Sequence, residues 1–238
     1  MNYLEQEIYQ LKISTLELWD LVLSQLNKSK EALQHYDKNL AREIKATEKR
    51  VNALELKLDR DCENIIALYN PVAVDLRFVI AVLKINMNLE RSGDMAEGIA
   101  KYILKSESQF ASTLMEQARI IYMLDEAIVM LEMVRMAFEQ EDAKLARQVF
   151  EKDEILNSIN KSIEQVIGAY IIEYQQDIPN ALHILSSIRK IERVGDQSKN
   201  IAEEVIFYLE AKVLKHMKKR ELRTENQQDI ESQSKGND

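Results

Sequence analysis

Glu90-Arg91-Ser92-Gly93-Asp94 returns 102 residues later as Glu192-Arg193-Val194-Gly195-Asp196, and Ile99-Ala100 returns as Ile201-Ala202 with the same displacement. A period this long exceeds the roughly 20–50 residues of a solenoid unit, so it marks a duplicated small domain. Whatever the first half of the chain builds, the second half must build again. The returning residues are polar, two carboxylates four positions apart beside a glycine, which makes each copy a candidate site as well as a fold marker.

The punctuation says what kind of domain is duplicated. The 238 residues include only five glycines and two prolines, where average usage of the two together is roughly 12%. So few breakers argue for long helices. Asn70-Pro71 and Ile178-Pro179-Asn180 each end one helix and open the next, because proline fits a first helical turn but not an interior. Apolar residues recur at three- and four-residue intervals, as in Leu11, Leu18, Val22, Leu26 and Leu33, and in Ile44, Val51, Leu58 and Ile65. Six helices are predicted. They run from Tyr3 to Tyr36, Asn39 to Leu68, Val72 to Leu104, Ser112 to Glu139, Asp142 to Tyr174 and Pro179 to Leu214, with Ser106-Glu107-Ser108 linking the halves. The expected fold is all-α, two tandem antiparallel three-helix bundles. Residues 1–107 and 108–215 form the repeats, and a polar tail, 216–238, is expected to be disordered.

Charge and cysteine usage narrow the function classes. The net charge of −8 disfavours a nucleic-acid binder, which needs clustered Lys and Arg. Cys62 is the single cysteine, so no intrachain disulfide can form. It is read as a buried small hydrophobe in a reducing compartment. Met1-Asn2-Tyr3-Leu4-Glu5 carries no basic or apolar signal-peptide region. The most apolar stretch, from Ile120 to Val134, is interrupted by Asp125, Glu126 and Glu132, so no membrane insertion is expected. A cytoplasmic location is the expectation. Trp19 is read as core or interface, the methionines between Met115 and Met136 as core filling, and Arg77 as pairing with Asp75 or capping a neighbouring helix.

Glu90 and Asp94 share a helix face at i and i+4, where like charges repel. Gly93 costs roughly 1 kcal/mol relative to alanine within a helix. Glu192, Asp196 and Gly195 break the same local rules, and such choices call for a compensating partner. A cation between the acids would remove the repulsion, and a helix packed against the glycine would explain its missing side chain. Two stripes could face these pairs: Glu48, Asn52, Glu55 and Asp59 on the second helix, and Asp153, Asn157, Asn160 and Glu164 on the fifth. Oxygen ligands suit Mg, Mn or Fe, whereas His35, His183 and His216 lie in no ligand spacing with the acids. The plain alternative is a solvated helix face neutralised by Arg91 and Arg193. A carboxylate-bridged metalloenzyme and a metal-free scaffold also stay open, although no Ser-His or Cys-His arrangement or glycine-rich phosphate loop is evident.

Asn70-Pro71-Val72-Ala73-Val74-Asp75-Leu76-Arg77, followed by Leu89-Glu90-Arg91-Ser92-Gly93-Asp94, resembles the PhoU family of phosphate-signalling proteins. Ile191-Glu192-Arg193-Val194-Gly195-Asp196 and Asn200-Ile201-Ala202-Glu203 carry the likeness through the second half. The resemblance covers residues 3–212 and implies two three-helix bundles. It also implies a non-enzymatic negative regulator of phosphate uptake and homeostasis, linking a phosphate ABC transporter ATPase subunit to a sensor histidine kinase, and a homodimer. By the same resemblance some members hold metal clusters on E/D-xxx-D motifs. Glu90 and Asp94 would then be ligands in repeat one and Glu192 and Asp196 in repeat two. Glu48, Asn52, Asp153 and Asn157 would contribute from the facing helices, with Fe, Mn or Mg as the ion. Asn52 and Asn157 stand where many relatives have Asp. Gly98 and Lys101 replace the Asn200 and Glu203 of repeat two, and Asn160 replaces the acid found as Glu55. Two unequal sites are expected.

Overall fold

The computed structural model describes residues 2–213. Its elements are α1 (Tyr3–His35), α2 (Lys38–Tyr69), α3 (Ala73–Lys105), α4 (Ser112–Gln117), α5 (Ile120–Gln140), α6 (Ala143–Glu173), a 3-10 turn (Gln175–Asp177) and α7 (Ile178–Glu210). Helix starts follow from local capping chemistry. Asn2 accepts from the Glu5 amide while the Glu5 side chain reaches back to the Asn2 amide, a reciprocal capping box that satisfies two orphan donors. Asp37 caps α2 by accepting from the Asn39 and Leu40 amides, and Asp142 caps α6 by accepting from Lys144 and Leu145. Tyr36 and Glu141, one residue before those caps, both take left-handed backbone. The two turns thus use one conformation, 105 positions apart (36 and 141). Pro179 sits in the first turn of α7 and Pro71 between α2 and α3, as expected.

Two expected boundaries differ. The fourth helix is not continuous from Ser112 to Glu139: it breaks at Arg119, whose φ is 51°. Neither glycine nor proline marks this site. The break lets Leu114 and Ala118 enter the core on one side and Ile120 on the other, so tertiary burial outweighs local propensity. Arg119 then lays its guanidinium over Tyr122, 4.7 Å from the ring centre. The last helix stops at Glu210 instead of Leu214, because Ala211 turns left-handed and its amide donates to the Phe207 carbonyl. The expected tail lies outside the described residues.

In each repeat three long helices pack on one another: α1, α2 and α3, then α5, α6 and α7. The repeats join along α3 against α7 and α1 against α5. A pseudo-two-fold relates the join, setting position 88 against 200 and 98 against 190. Asn200 Nδ2 donates to Asn88 Oδ1 at 3.3 Å, while the Lys190 side chain lies against Gly98. Along α1 and α5, Lys12 pairs with Glu141, Asp20 with Arg135 and Lys30 with Asp125. Beneath them Trp19, fully buried, donates its indole N–H to the Leu131 carbonyl at 3.2 Å. Trp19, Phe78, Phe138 and Tyr208, one ring from each of four helices, stack or meet edge to face with centroids 5.4–6.1 Å apart. Arg77 Nε donates to the Tyr208 carbonyl, taking the helix-capping option. At the other end, Ser106 donates to Asn180 Oδ1 and its carbonyl accepts from Tyr36 and Lys38. Cys62 is buried as expected. No helix among the described residues is long and apolar enough to cross a membrane.

Trp19→Ala removes the largest side chain at the join. It should destabilise the fold by about 3–5 kcal/mol, read as a lower urea midpoint.

Candidate functional site

The acid-bearing faces are built by the closeness of helix packing at two glycines. A Cβ on Gly93 would lie 3.0 Å from Gln25 Oε1 and 3.3 Å from both Glu48 Oε2 and Val51 Cγ1. One on Gly195 would lie 2.5 Å from Leu156 Cδ2. The missing side chains therefore admit α2 and α6 against α3 and α7. This close approach draws Glu48 and Asp153 into the bundles, where they are only 6% and 3% exposed.

In repeat one, Glu48 Oε2 accepts from Gln25 Nε2 at 2.8 Å. Glu48 Oε1 and Gln25 Oε1 are both buried without a hydrogen-bond partner. Burial pushes the Glu48 carboxyl up from its ordinary 4.5 to about 7. The Gln25 hydrogen bond opposes that rise, and Asp94, Glu97 and Glu90 add to it. Glu90 is half-buried and also held above the usual carboxylate range, by burial, then Asp94, then Glu55. Asp94 itself is exposed, and Asn52 points to solvent-exposed surface. Lys101 sits at the rim and bonds Glu97.

Repeat two carries a different charge pattern. Asp153 Oδ2 accepts from Asn157 Nδ2 at 2.6 Å and pairs with Lys199 Nζ at 2.9 Å. The same ammonium reaches Asp196 Oδ1 at 2.8 Å. Burial works against the charged Lys199, but hydrogen bonds to Asp196 and Asp153 more than offset it and its pKa stands above the ordinary lysine value. Glu192 is raised by burial and by Asp196, with Lys199 opposing. Asp153 Oδ1 is buried without a hydrogen-bond partner, as is Gln197 Oε1 next to Asp196 in the chain.

The structure therefore brings Glu48 and Asp153 inside and leaves the outer parts of both stripes in other contacts. Asp59 accepts from Asn86, and Glu164 pairs with Arg189. Two participants, Gln25 and Lys199, are not acids. Gln25 stands among apolar residues of α1, and only its register opposite Gly93 reveals it. Lys199 was visible as the residue that repeat one replaces with Glu97 at the 102-residue displacement (97 to 199).

Among the described residues no three His, Cys, Asp or Glu side chains converge closely enough to hold a metal ion. The donors nonetheless differ in fitness. Repeat one offers two orphaned oxygens, on Glu48 and Gln25, beside Glu90, Asp94 and Glu97. Oxygens are the donor type that Mg, Mn or Fe takes, although these do not converge on one point. Repeat two already holds a cation of its own against Asp153 and Asp196.

These features define a class: a duplicated three-helix bundle with a carboxylate face in each copy. The PhoU domain family matches residues 15–103 and again 120–205. The chain belongs to the PhoU family. It is 30% identical over 211 residues to the phosphate-specific transport system accessory protein PhoU of Escherichia coli (strain K12), covering 89% of this chain and 87% of that one. It is 32% identical over 212 residues to the homologous protein of Aquifex aeolicus (strain VF5), covering 89% and 95%. The crystal structure of the phosphate transport system regulatory protein PhoU from Streptococcus pneumoniae superposes with a TM-score of 0.79 at 30% identity, over 88% of this chain and 98% of that one. That of PhoU from Pseudomonas aeruginosa superposes with a TM-score of 0.80 at 28% identity, over 87% and 99%.

Two outcomes check this geometry. Gly195→Ala gains helix propensity of up to roughly 1 kcal/mol, but overpacking Leu156 costs about 1–3 kcal/mol. The net change in chemical denaturation is a loss that shrinks in a Leu156→Ala background. Between pH 4.5 and 7, native Glu48 keeps a proton that the unfolded chain has released, so stability falls as pH rises through that window. In chelator, the wild-type Tm should be lower at pH 7.5 than at pH 5.5. Glu48→Gln should remove most of that fall; Glu55, Glu90 and Glu192, also raised, act in the same direction, and His183, lowered by burial, acts in the opposite one.

Proposed function

We propose that this phosphate-transport regulator works by binding, without catalysis of its own, as a cytoplasmic adaptor that restrains the starvation response when phosphate is plentiful. Its partners in this reading are the ATPase subunit of a phosphate ABC transporter and a sensor histidine kinase, and it acts as a homodimer. The observation that carries the reading is the match of both repeats to a family whose curated relatives are named phosphate transport accessory proteins.

The repeat-one face adds a cation site to this role. Glu48, Gln25, Glu90 and Asp94, which do not converge on one point as they stand, would close around a hard divalent or iron-type ion, whose charge neutralises a group of acids that otherwise repel one another. Gln25 orients Glu48 through its amide N–H, and Gly93 keeps both against the α3 backbone. Glu48 and Asp94 come from different helices, so ion binding would tie α2 to α3 and fix the surface offered to a partner. The metal-free alternative finds its support in repeat two, where Lys199 neutralises the acids internally.

Deleting the gene should leave phosphate-starvation promoters active in phosphate-rich medium, measured with a reporter. Full repression in the deletion strain would overturn the regulatory reading. Complementation with Glu48→Ala/Asp94→Ala should restore repression only in part if the repeat-one cation matters.

A further inference from the structure

The two repeats solve one electrostatic problem with different residues. Glu48 and Asp153 occupy equivalent positions in their bundles, and each is buried against a facing acid, Asp94 or Asp196. In repeat two an ammonium lies between them, with Lys199 Nζ 2.9 Å from Asp153 Oδ2 and 2.8 Å from Asp196 Oδ1. In repeat one the equivalent of Lys199 is Glu97, and the nearby Lys101 bonds Glu97. The neighbouring position diverges as well. Gln25 presents an oxygen beside Gly93, whereas Met130 lies near Gly195 at its equivalent position.

We infer that Lys199 is the resident cation of repeat two, standing in place of a metal ion, so that the Asp153–Asp196 pair takes no metal and cation response is confined to repeat one. The ammonium is tethered to the same helix as Asp196, three residues away, and its side chain is only 24% exposed. A divalent ion entering between the acids would meet that fixed positive charge and would have to displace it. Both groups bonded to Asp153 Oδ2, the Asn157 amide and the Lys199 ammonium, are donors. The remaining orphan, Asp153 Oδ1, is one oxygen where a hard divalent cation wants about six. Met130, at the place of Gln25, adds a thioether where such an ion wants oxygen.

This inference rests on the proposed repeat-one site only for its contrast, and its tests separate the two. Chelated protein is equilibrated with Mn2+, freed of excess by gel filtration and assayed by elemental analysis. Asp153→Asn/Asp196→Asn should retain the wild-type Mn2+ stoichiometry, and Met130→Gln/Lys199→Glu, which restores the repeat-one residues at both positions, should gain about one equivalent. Loss of Mn2+ from the double Asn variant, or no gain in folded Met130→Gln/Lys199→Glu, overturns the inference. If wild type takes up no Mn2+ at all, the repeat-one reading fails, and the role of Lys199 is decided by melting in chelator. Lys199→Met should lower Tm by about 5 °C in the wild-type background and far less in Asp153→Asn/Asp196→Asn. An equal drop in both backgrounds assigns Lys199 to packing alone and overturns the inference.

Discussion

A carboxylate drawn inside a helical bundle must be neutralised, hydrogen-bonded or protonated, since a bare charge there is expensive. Glu48 and Asp153 impose that requirement on the two halves of this protein, and much of the local design answers it. Glycines at 93 and 195 bring the acids in by letting helices touch backbone to side chain. Gln25 in one half and Asn157 with Lys199 in the other then supply the donors. Repeat one meets the demand incompletely: the Glu48 carboxyl, pushed up to about 7, keeps one oxygen without a hydrogen-bond partner, as does the Gln25 amide beside it.

Duplication has preserved geometry better than chemistry. The Asp37 and Asp142 caps, the left-handed residues before them and the paired glycines keep their register across the halves. These positions control where helices begin and how closely they approach, and neither can drift without moving the whole bundle. Charges on the acid face are freer. Glu97 has become Lys199, and Lys101 corresponds to Glu203, an exchange of sign within one helical turn that leaves the backbone undisturbed. Two sites of common origin can thereby take different functions inside one frame.

Helices, their order and their pairing into bundles were readable because periodicity, two prolines and the doubled phrase agreed with one another. What escaped was non-local. The break at Arg119 has no signature of its own, because it arises from the need to bury Leu114 and Ile120 together. The helix end at Ala211 likewise has neither glycine nor proline to announce it. At the candidate site, acid spacing singles out Glu48, Asp94, Asp153 and Asp196, of which the fold buries Glu48 and Asp153. Such spacing overstates the length of both stripes, because distance along one helix cannot show that Asp59 turns to Asn86 or Glu164 to Arg189. Asn52, read as a ligand position, is exposed. Gln25 was out of reach, since its role depends on how closely a third helix is packed.

The join between the halves has two layers of unlike physics. Along α1 and α5 its rim is made of ion pairs whose acidic partners, Asp20, Asp125 and Glu141, are largely open to water. Such pairs contribute little and are weakened by dissolved ions. Its interior is a quartet of rings drawn from α1, α3, α5 and α7, closed by the Trp19 bond to Leu131. Aromatic burial is not weakened by charge screening, and excluded salts strengthen it. Brine should therefore loosen the fringe of this molecule while leaving the rings that clasp its two lobes in place.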